Sequence, residues 1–313
     1  MLEHVDFILR ISEEALQGCG EDSWCYSFTD SAGMIAVLDG CGGSGAKKHA
    51  FYSGHSEAFM ASRMGAGALY NAFQDCAEDP ALNAGAILSR FESYCRSSFS
   101  AYKPPVDPNS RLRSSMITTL PTTLAAALLQ PQKGGVALTA AWAGDSRVYL
   151  LAQTGLHQLS VDDSDDADPF ETDGTMTNSL NADRKPEIRV NRRGFRLPAL
   201  VLTATDGCFA YFKSPMEFEG VLLSTLAAAS SAAAWERLLR ERIGELAGDD
   251  YTLVLCSLGF GDFQSLQQAL APRTRLLRER WLAAIEALPE EDEGQRRLLW
   301  NDYRNEYCKY IKG

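Results

Sequence analysis

Six short stretches of the chain are apolar at nearly every position: 34–38, 123–129, 136–143, 148–151, 200–205 and 251–258. Each has the length of a strand and is bounded by Gly, Asp or Pro, the residues that punctuate sheets. Between them lie three long amphipathic segments, 56–75, 84–102 and 215–246, the last with an Ala-rich middle, and these read as helices. Helices fall in pairs between groups of strands instead of alternating with them one for one. That order predicts an α+β fold of segregated layers and not a doubly wound parallel sheet.

Beyond residue 260 the strand pattern stops, so the chain divides into 1–260 and 261–313. Leu277, Trp281, Ile285 and Leu288 recur on one helical face, and Trp300, Tyr303, Tyr307 and Tyr310 on another. The acidic stretch 289–294 breaks them, which predicts a C-terminal helical hairpin. Two uses of its aromatic stripe stay open at this point. It packs on the larger domain's own helices, or it receives a partner or a second copy, with Arg273, Arg275, Arg278 and Arg280 as a basic rim.

Composition removes several classes of function. The 313 residues are 45% hydrophobic and 23% charged, enough apolar material for a full core, and the net charge of -11 repels a nucleic-acid backbone. No apolar run approaches membrane-spanning length, and residues 1–10 lack the basic start and apolar stretch of a signal peptide, so the expected compartment is the cytoplasm. Eight scattered cysteines without a CxxC pair read as reduced thiols, and four histidines without helical metal-ligand spacing exclude a zinc finger or an HExxH protease. Gly40 and Gly45 imitate the start of a phosphate-cradling loop, but Ala46 stands where its lysine belongs. The acidic run containing Asp162, Asp163, Asp165, Asp166 and Asp168 reads as a solvated loop.

What remains for chemistry is carboxylate. Run 34–38 leads directly into Asp39-Gly40, run 200–205 into Asp206-Gly207, and Asp249-Asp250 stands just before run 251–258. An antiparallel neighbour brings the start of that last run to the edge where the others finish. Gly144-Asp145 adds a fourth acidic corner. Carboxylates converging within a few ångströms repel one another unless a cation sits among them, and oxygen ligands suit Mg²⁺ or Mn²⁺.

These residues resemble the metal-dependent type 2C protein phosphatases. Seven elements follow in that family's order between Glu21 and Leu258: Glu21-Asp22-Ser23, Asp39-Gly40-Cys41-Gly42-Gly43, Thr122-Thr123, Gly144-Asp145-Ser146-Arg147, the segment 159–164, Thr205-Asp206-Gly207 and Asp249-Asp250-Tyr251-Thr252. The resemblance implies a four-layer αββα sandwich, two antiparallel sheets flanked by helices, with two or three Mn²⁺ or Mg²⁺ ions at one end. By that likeness Asp39 bridges two ions, Gly40 gives its carbonyl, Asp206 and Asp249 complete one shell, Glu21 and Asp22 hold water ligands of the other, and Asp145 binds a third. The implied reaction is hydrolysis of phosphoserine and phosphothreonine in proteins by a metal-bridged water, reversing a serine/threonine kinase. The implied partners are a phosphorylated protein and that kinase.

The chain departs from the pattern twice. Cys41 stands where many members carry a His that protonates the leaving oxygen, and Gln17 where the family places a phosphate-clamping Arg. Lys47 and Lys48 are the candidates to replace that charge. The alternative function, a catalytically weak pseudophosphatase that binds a phosphoprotein or a kinase, follows from these two departures.

Overall fold

In a computed structural model describing residues 2, 4–77, 83–104, 118–165, 174–289 and 292–311, the six apolar runs form the interior of two sheets. The strands are β1 (Val5–Glu13), β2 (Ser23–Phe28), β3 (Gly33–Leu38), β4 (Leu124–Gln132), β5 (Gly135–Ala143), β6 (Arg147–Ala152), β7 (Gly155–Gln158), β8 (Arg189–Phe195), β9 (Ala199–Ala204) and β10 (Tyr251–Leu258). One sheet has the order β1-β10-β9-β6-β7 and the other β2-β3-β4-β5-β8, with every pairing antiparallel.

The interior strands are apolar throughout because both of their faces are covered. In β3, Met34, Ala36 and Leu38 pack against helices, while Ile35 and Val37 pack between the sheets. In β10, Leu253 and Leu255 face helices on the opposite side of the molecule, and Val254 and Cys256 meet Ile35 and Val37 in the intersheet layer. The four strands without an apolar run, β1, β2, β7 and β8, are the four sheet edges.

After a short turn of helix α1 (Gly42–Gly45), helices α2 (Glu57–Cys76) and α3 (Ala84–Tyr102) cover the β2–β8 sheet. Helices α4 (Pro215–Ala228), α5 (Ala232–Gly244), α6 (Phe263–Leu277), α7 (Ala283–Glu286) and α8 (Glu293–Tyr307) belong to the other outer layer, which completes the αββα sandwich. The amphipathic segment 215–246 is two helices and not one. Ser231 ends the break between them, its side chain accepting a hydrogen bond from Ala234 N and capping α5.

The C-terminal helices are longer than the stripe pattern implied. Asp262 caps α6 through Ser265 N, and a π-helical turn at Arg278–Leu282 carries the chain on into α7. Trp281, Trp300, Tyr303 and Tyr307 are fully buried in the same core as Leu202 of β9 and Leu255 of β10, so the aromatic stripe belongs to the protein's own interior. Arg273 is no rim residue. Its guanidinium is buried, with Nε 2.8 Å from Glu219 Oε1, Nη2 2.9 Å from Glu219 Oε2 and Nη1 2.7 Å from Glu306 Oε2. Tyr303 donates a further hydrogen bond to Glu219, which leaves both ends of the pair satisfied.

Candidate active site

β3 and β9 finish at one end of the sandwich, where Asp39 directly follows Leu38 and Asp206 follows Ala204 after Thr205. Thr122 and Thr123, at the start of β4, fix the first of these corners. Asp39 N donates to Thr123 Oγ1 at 2.9 Å, Thr123 N donates to Asp39 O at 2.8 Å, and Thr122 Oγ1 donates to the same carbonyl at 2.7 Å. Gly40 then passes so close to α2 that a Cβ there would stand 2.5 Å from Ala58 O. Only glycine permits that approach.

Gly207 shows the same constraint, since a Cβ on it would stand 2.0 Å from Asp250 O. Asp250 is itself a tie. Its Oδ1 accepts from Ala15 N at 2.7 Å and its Oδ2 from Glu21 N at 2.6 Å, which pins the loop carrying Glu21 and Asp22 to the start of β10. Ser56 donates to Glu21 Oε1. Thr205 Oγ1 donates to Asp22 Oδ2 at 2.8 Å. Asp249, beside Asp250, is exposed at the rim.

The Gly144-Asp145 corner is held by the acidic run that the sequence presented as a solvated loop. Asp163 is buried, accepts hydrogen bonds from Gly144 N at 3.2 Å and Asn178 Nδ2 at 2.7 Å, and pairs with Arg189. Asp162 receives Arg147 at 2.6 and 3.0 Å, and the Arg147 guanidinium lies 4.1 Å over the Phe209 ring. These two aspartates therefore have structural work that their local composition concealed. Asp166 and Asp168 lie outside the described residues.

Electrostatics reports the convergence directly. Burial raises the Asp39 carboxyl well above its usual range, and Asp206, Asp22 and Asp145 raise it further. Burial lifts Asp22 to about 8 and Asp145 to about 7, in both cases with help from the charge of Asp206. Asp206 and Glu21 also rise, chiefly through burial. Asp206 is the one neighbour whose charge raises all three of Asp22, Asp39 and Asp145. Among the described residues no three acidic, thiol or imidazole groups already form a finished metal-ligand set.

The donor set nevertheless fits a hard cation. Asp22 Oδ1 and Asp145 Oδ1 are buried with no hydrogen-bond partner among the described residues, an arrangement that costs about 1–3 kcal/mol per group unless something satisfies the oxygen. Carboxylate oxygens are the donors that Mg²⁺ or Mn²⁺ accepts.

Around this cluster the other candidates separate. Cys41 is half-buried, and its thiol is pushed well up, first by burial and then by Asp39, Asp145 and Asp206. Lys48 lines a cleft of about 370 Å³ with Glu21, Ser56, Asp249 and Asp250. Lys47 is exposed and does not line it. Gln17 is exposed on a neighbouring cleft that it shares with Asp22, Asp250 and Arg63. Arg63 escaped sequence reasoning because nothing local marks it on α2. It donates to Gly20 O at 3.0 Å and lies 3.4 Å over the Phe59 ring. Asp250 is visible in the sequence as the second member of a doublet with Asp249, but its part as a tie to Ala15 and Glu21 is not.

The family model for protein phosphatase 2C matches residues 13–247. The chain belongs to the protein phosphatase 2C family. No curated protein matches it in sequence. Among solved structures, this phosphatase 2C chain is similar to the PPM Ser-Thr phosphatase MsPP from Mycobacterium smegmatis in complex with cacodylate, at 15% identity and a TM-score of 0.54, covering 82% of this chain and 100% of that one. It is similar to the serine/threonine phosphatase Stp1 from Staphylococcus aureus at 14% identity and a TM-score of 0.57, covering 82% and 95%. RsbX in complex with magnesium matches at 15% identity and a TM-score of 0.50, covering 82% and 96%. At these identities the likeness establishes the fold.

Proposed function

We propose that the chain hydrolyses phosphoserine and phosphothreonine in proteins in a reaction that depends on Mn²⁺ or Mg²⁺. The observation that carries this reading is the convergence of Asp22, Asp39, Asp145 and Asp206 from four separate turns, close enough that the charge of Asp206 raises the other three carboxyls. Family membership supports the reaction class, and the magnesium bound by RsbX supports the choice of ion.

In this reading Asp39, the Gly40 carbonyl, Asp206 and Asp249 hold one ion, Glu21 and Asp22 hold the waters of another, and Asp145 holds a third. Ions held there would lower the pKa of a water and neutralise the phosphoryl oxygens. The protein's own contribution is to fix the carboxylates. Thr122 and Thr123 clamp Asp39, Thr205 orients Asp22, and Ser56 and Asp250 hold Glu21. Lys48 is the cation that meets the substrate phosphate, with Lys47 further out and Gln17 on the adjoining cleft. Cys41, kept as a thiol beside Asp39, holds the proton that the leaving serine or threonine oxygen takes.

The physiological partners in this reading are a phosphorylated protein and the kinase that made it. Cys41 and Gln17 favour the alternative, a weak pseudophosphatase that binds a phosphoprotein or a kinase. Phosphate release from a phosphoserine peptide, with and without Mn²⁺, separates the two. The enzyme releases phosphate over many turnovers, whereas the pseudophosphatase binds the peptide and releases almost none.

A further inference from the structure

The far end of the β2–β8 sheet carries a second polar site. On the helix-facing side of β4, Leu124, Ala126 and Leu128 are covered by α2 and α3, but Gln130 and Gln132 follow in the same alternation. The neighbouring strand changes in step. Ala141 and Ala143 of β5 lie under the helices, and Thr139 next along that face does not pack on them. Thr139 stands directly across from Arg192 of β8. Both line a groove of about 450 Å³ that ends at the first turn of α3. Leu124 adjoins the Asp39 corner and Gln132 is at the other end of β4, so the groove is separate from the acidic cluster.

Three features of the groove point to an anion. The N–H groups of Ala84 and Gly85 open α3 with no acceptor among the described residues, and no acidic residue occupies that turn. Arg192 reaches the same turn, its Nη2 lying 3.7 Å from where a Cβ on Gly85 would stand. Residues 189–196 hold four arginines in a chain of net charge -11, and of these only Arg189 pairs with carboxylates among the described residues. A helix N-terminus facing a guanidinium is a ready anion site.

The independent observation is Thr139. It is only 7% exposed, its hydroxyl has no hydrogen-bond partner among the described residues, and it lines the groove. Arginines on an edge strand also discourage edge-to-edge pairing. That role does not call for a nearly buried threonine that lines the groove beneath them.

We propose that this groove binds a phosphoryl dianion, held by Arg192, the Thr139 hydroxyl and the first N–H groups of α3. The site does not depend on the catalytic reading. The probe is inorganic phosphate, titrated calorimetrically into the metal-free protein in EDTA, where the acidic cluster repels the ion. Saturable one-site binding is expected. Arg192→Gln should weaken it about tenfold or more, the scale of a charge-assisted contact. Thr139→Val removes a hydroxyl that has no hydrogen-bond partner among the described residues, so it should weaken binding severalfold at an unchanged melting temperature.

A second titration with a phosphoserine peptide identifies the source. Tighter binding than phosphate marks a phosphorylated side chain as the ligand, and weaker binding marks the free ion. Either order supports the site when Arg192→Gln weakens both. The proposal is overturned if phosphate does not saturate, if Arg192→Gln binds as wild type does, or if Asp39→Asn alters the affinity and Arg192→Gln does not.

Discussion

Asp39 and Asp206 meet at one end of the sandwich, where the charge of Asp206 raises the Asp39 carboxyl, although the strands that lead into them belong to different sheets. The sandwich thus closes at one end on a pair of acids that cannot both be charged without a cation. The account of this protein rests on that junction, and its consequences can be measured.

The first consequence is a pH dependence of stability that metal removes. Asp22 rises from its ordinary 3.8 to about 8, so the native metal-free protein keeps a proton that the unfolded chain has lost. Across that window the native state binds more protons, and stability falls as pH rises. Asp145, at about 7, adds the same slope. The melting temperature of the EDTA-treated protein should drop between pH 5 and pH 8 (roughly this window), and saturating Mn²⁺ should flatten the profile. A metal-free melting temperature that climbs through this range contradicts the assignment.

Thr123 is predicted to matter through the acidic cluster that it supports. Its hydroxyl bonds Asp39 N and Ser146 Oγ, both near the cluster. Thr123→Val keeps the shape and strands a buried N–H, at a cost of about 1–3 kcal/mol. Urea denaturation should show that loss, and Mn²⁺ affinity by calorimetry should fall with it. Unchanged affinity in a destabilised variant would confine Thr123 to the fold.

The C-terminal helices should prove inseparable from the rest. Arg273→Met leaves Glu219 buried without its cation, a change that costs about 3–5 kcal/mol. A chain ending at residue 260 loses Trp281, Trp300, Tyr303 and Tyr307 from the core around β9 and β10. Thermal melts of the two variants should show a large fall for the first and no cooperative transition for the second. A truncated protein that melts like the full chain contradicts this role.

Legibility in the sequence followed burial. Strands covered on both faces, such as β3 and β10, announced themselves as apolar runs, whereas β8, with Arg192 and Arg193 exposed on an edge, has no apolar face to display. Asp39 and Asp206 were readable because each follows such a run. Asp162 and Asp163 were not, since the same acidic composition serves a solvated loop and a buried tie to Arg147 and Gly144. Arg63 meets the Glu21 loop only through tertiary packing, which no local pattern encodes.

Cys41 offers a test of the proton donor. An aryl phosphate leaves without protonation, whereas a seryl oxygen gains about 10²–10⁴-fold from a general acid. Cys41→Ala should therefore depress turnover of a phosphoserine peptide well beyond that of an aryl phosphate. Cys41→His should restore the peptide reaction. Equal effects on both substrates remove Cys41 from the proton transfer.

The central claim is tested most directly by phosphate release from a phosphoserine peptide, measured for wild type and Asp206→Asn across a titration from EDTA to saturating Mn²⁺. Wild type should be silent in EDTA and turn over with Mn²⁺. Asp206→Asn should stay folded and lose at least about 10-fold, the lower bound for disturbing a metal site. Turnover in EDTA equal to that in Mn²⁺, or an Asp206→Asn protein as active as wild type, would contradict the account.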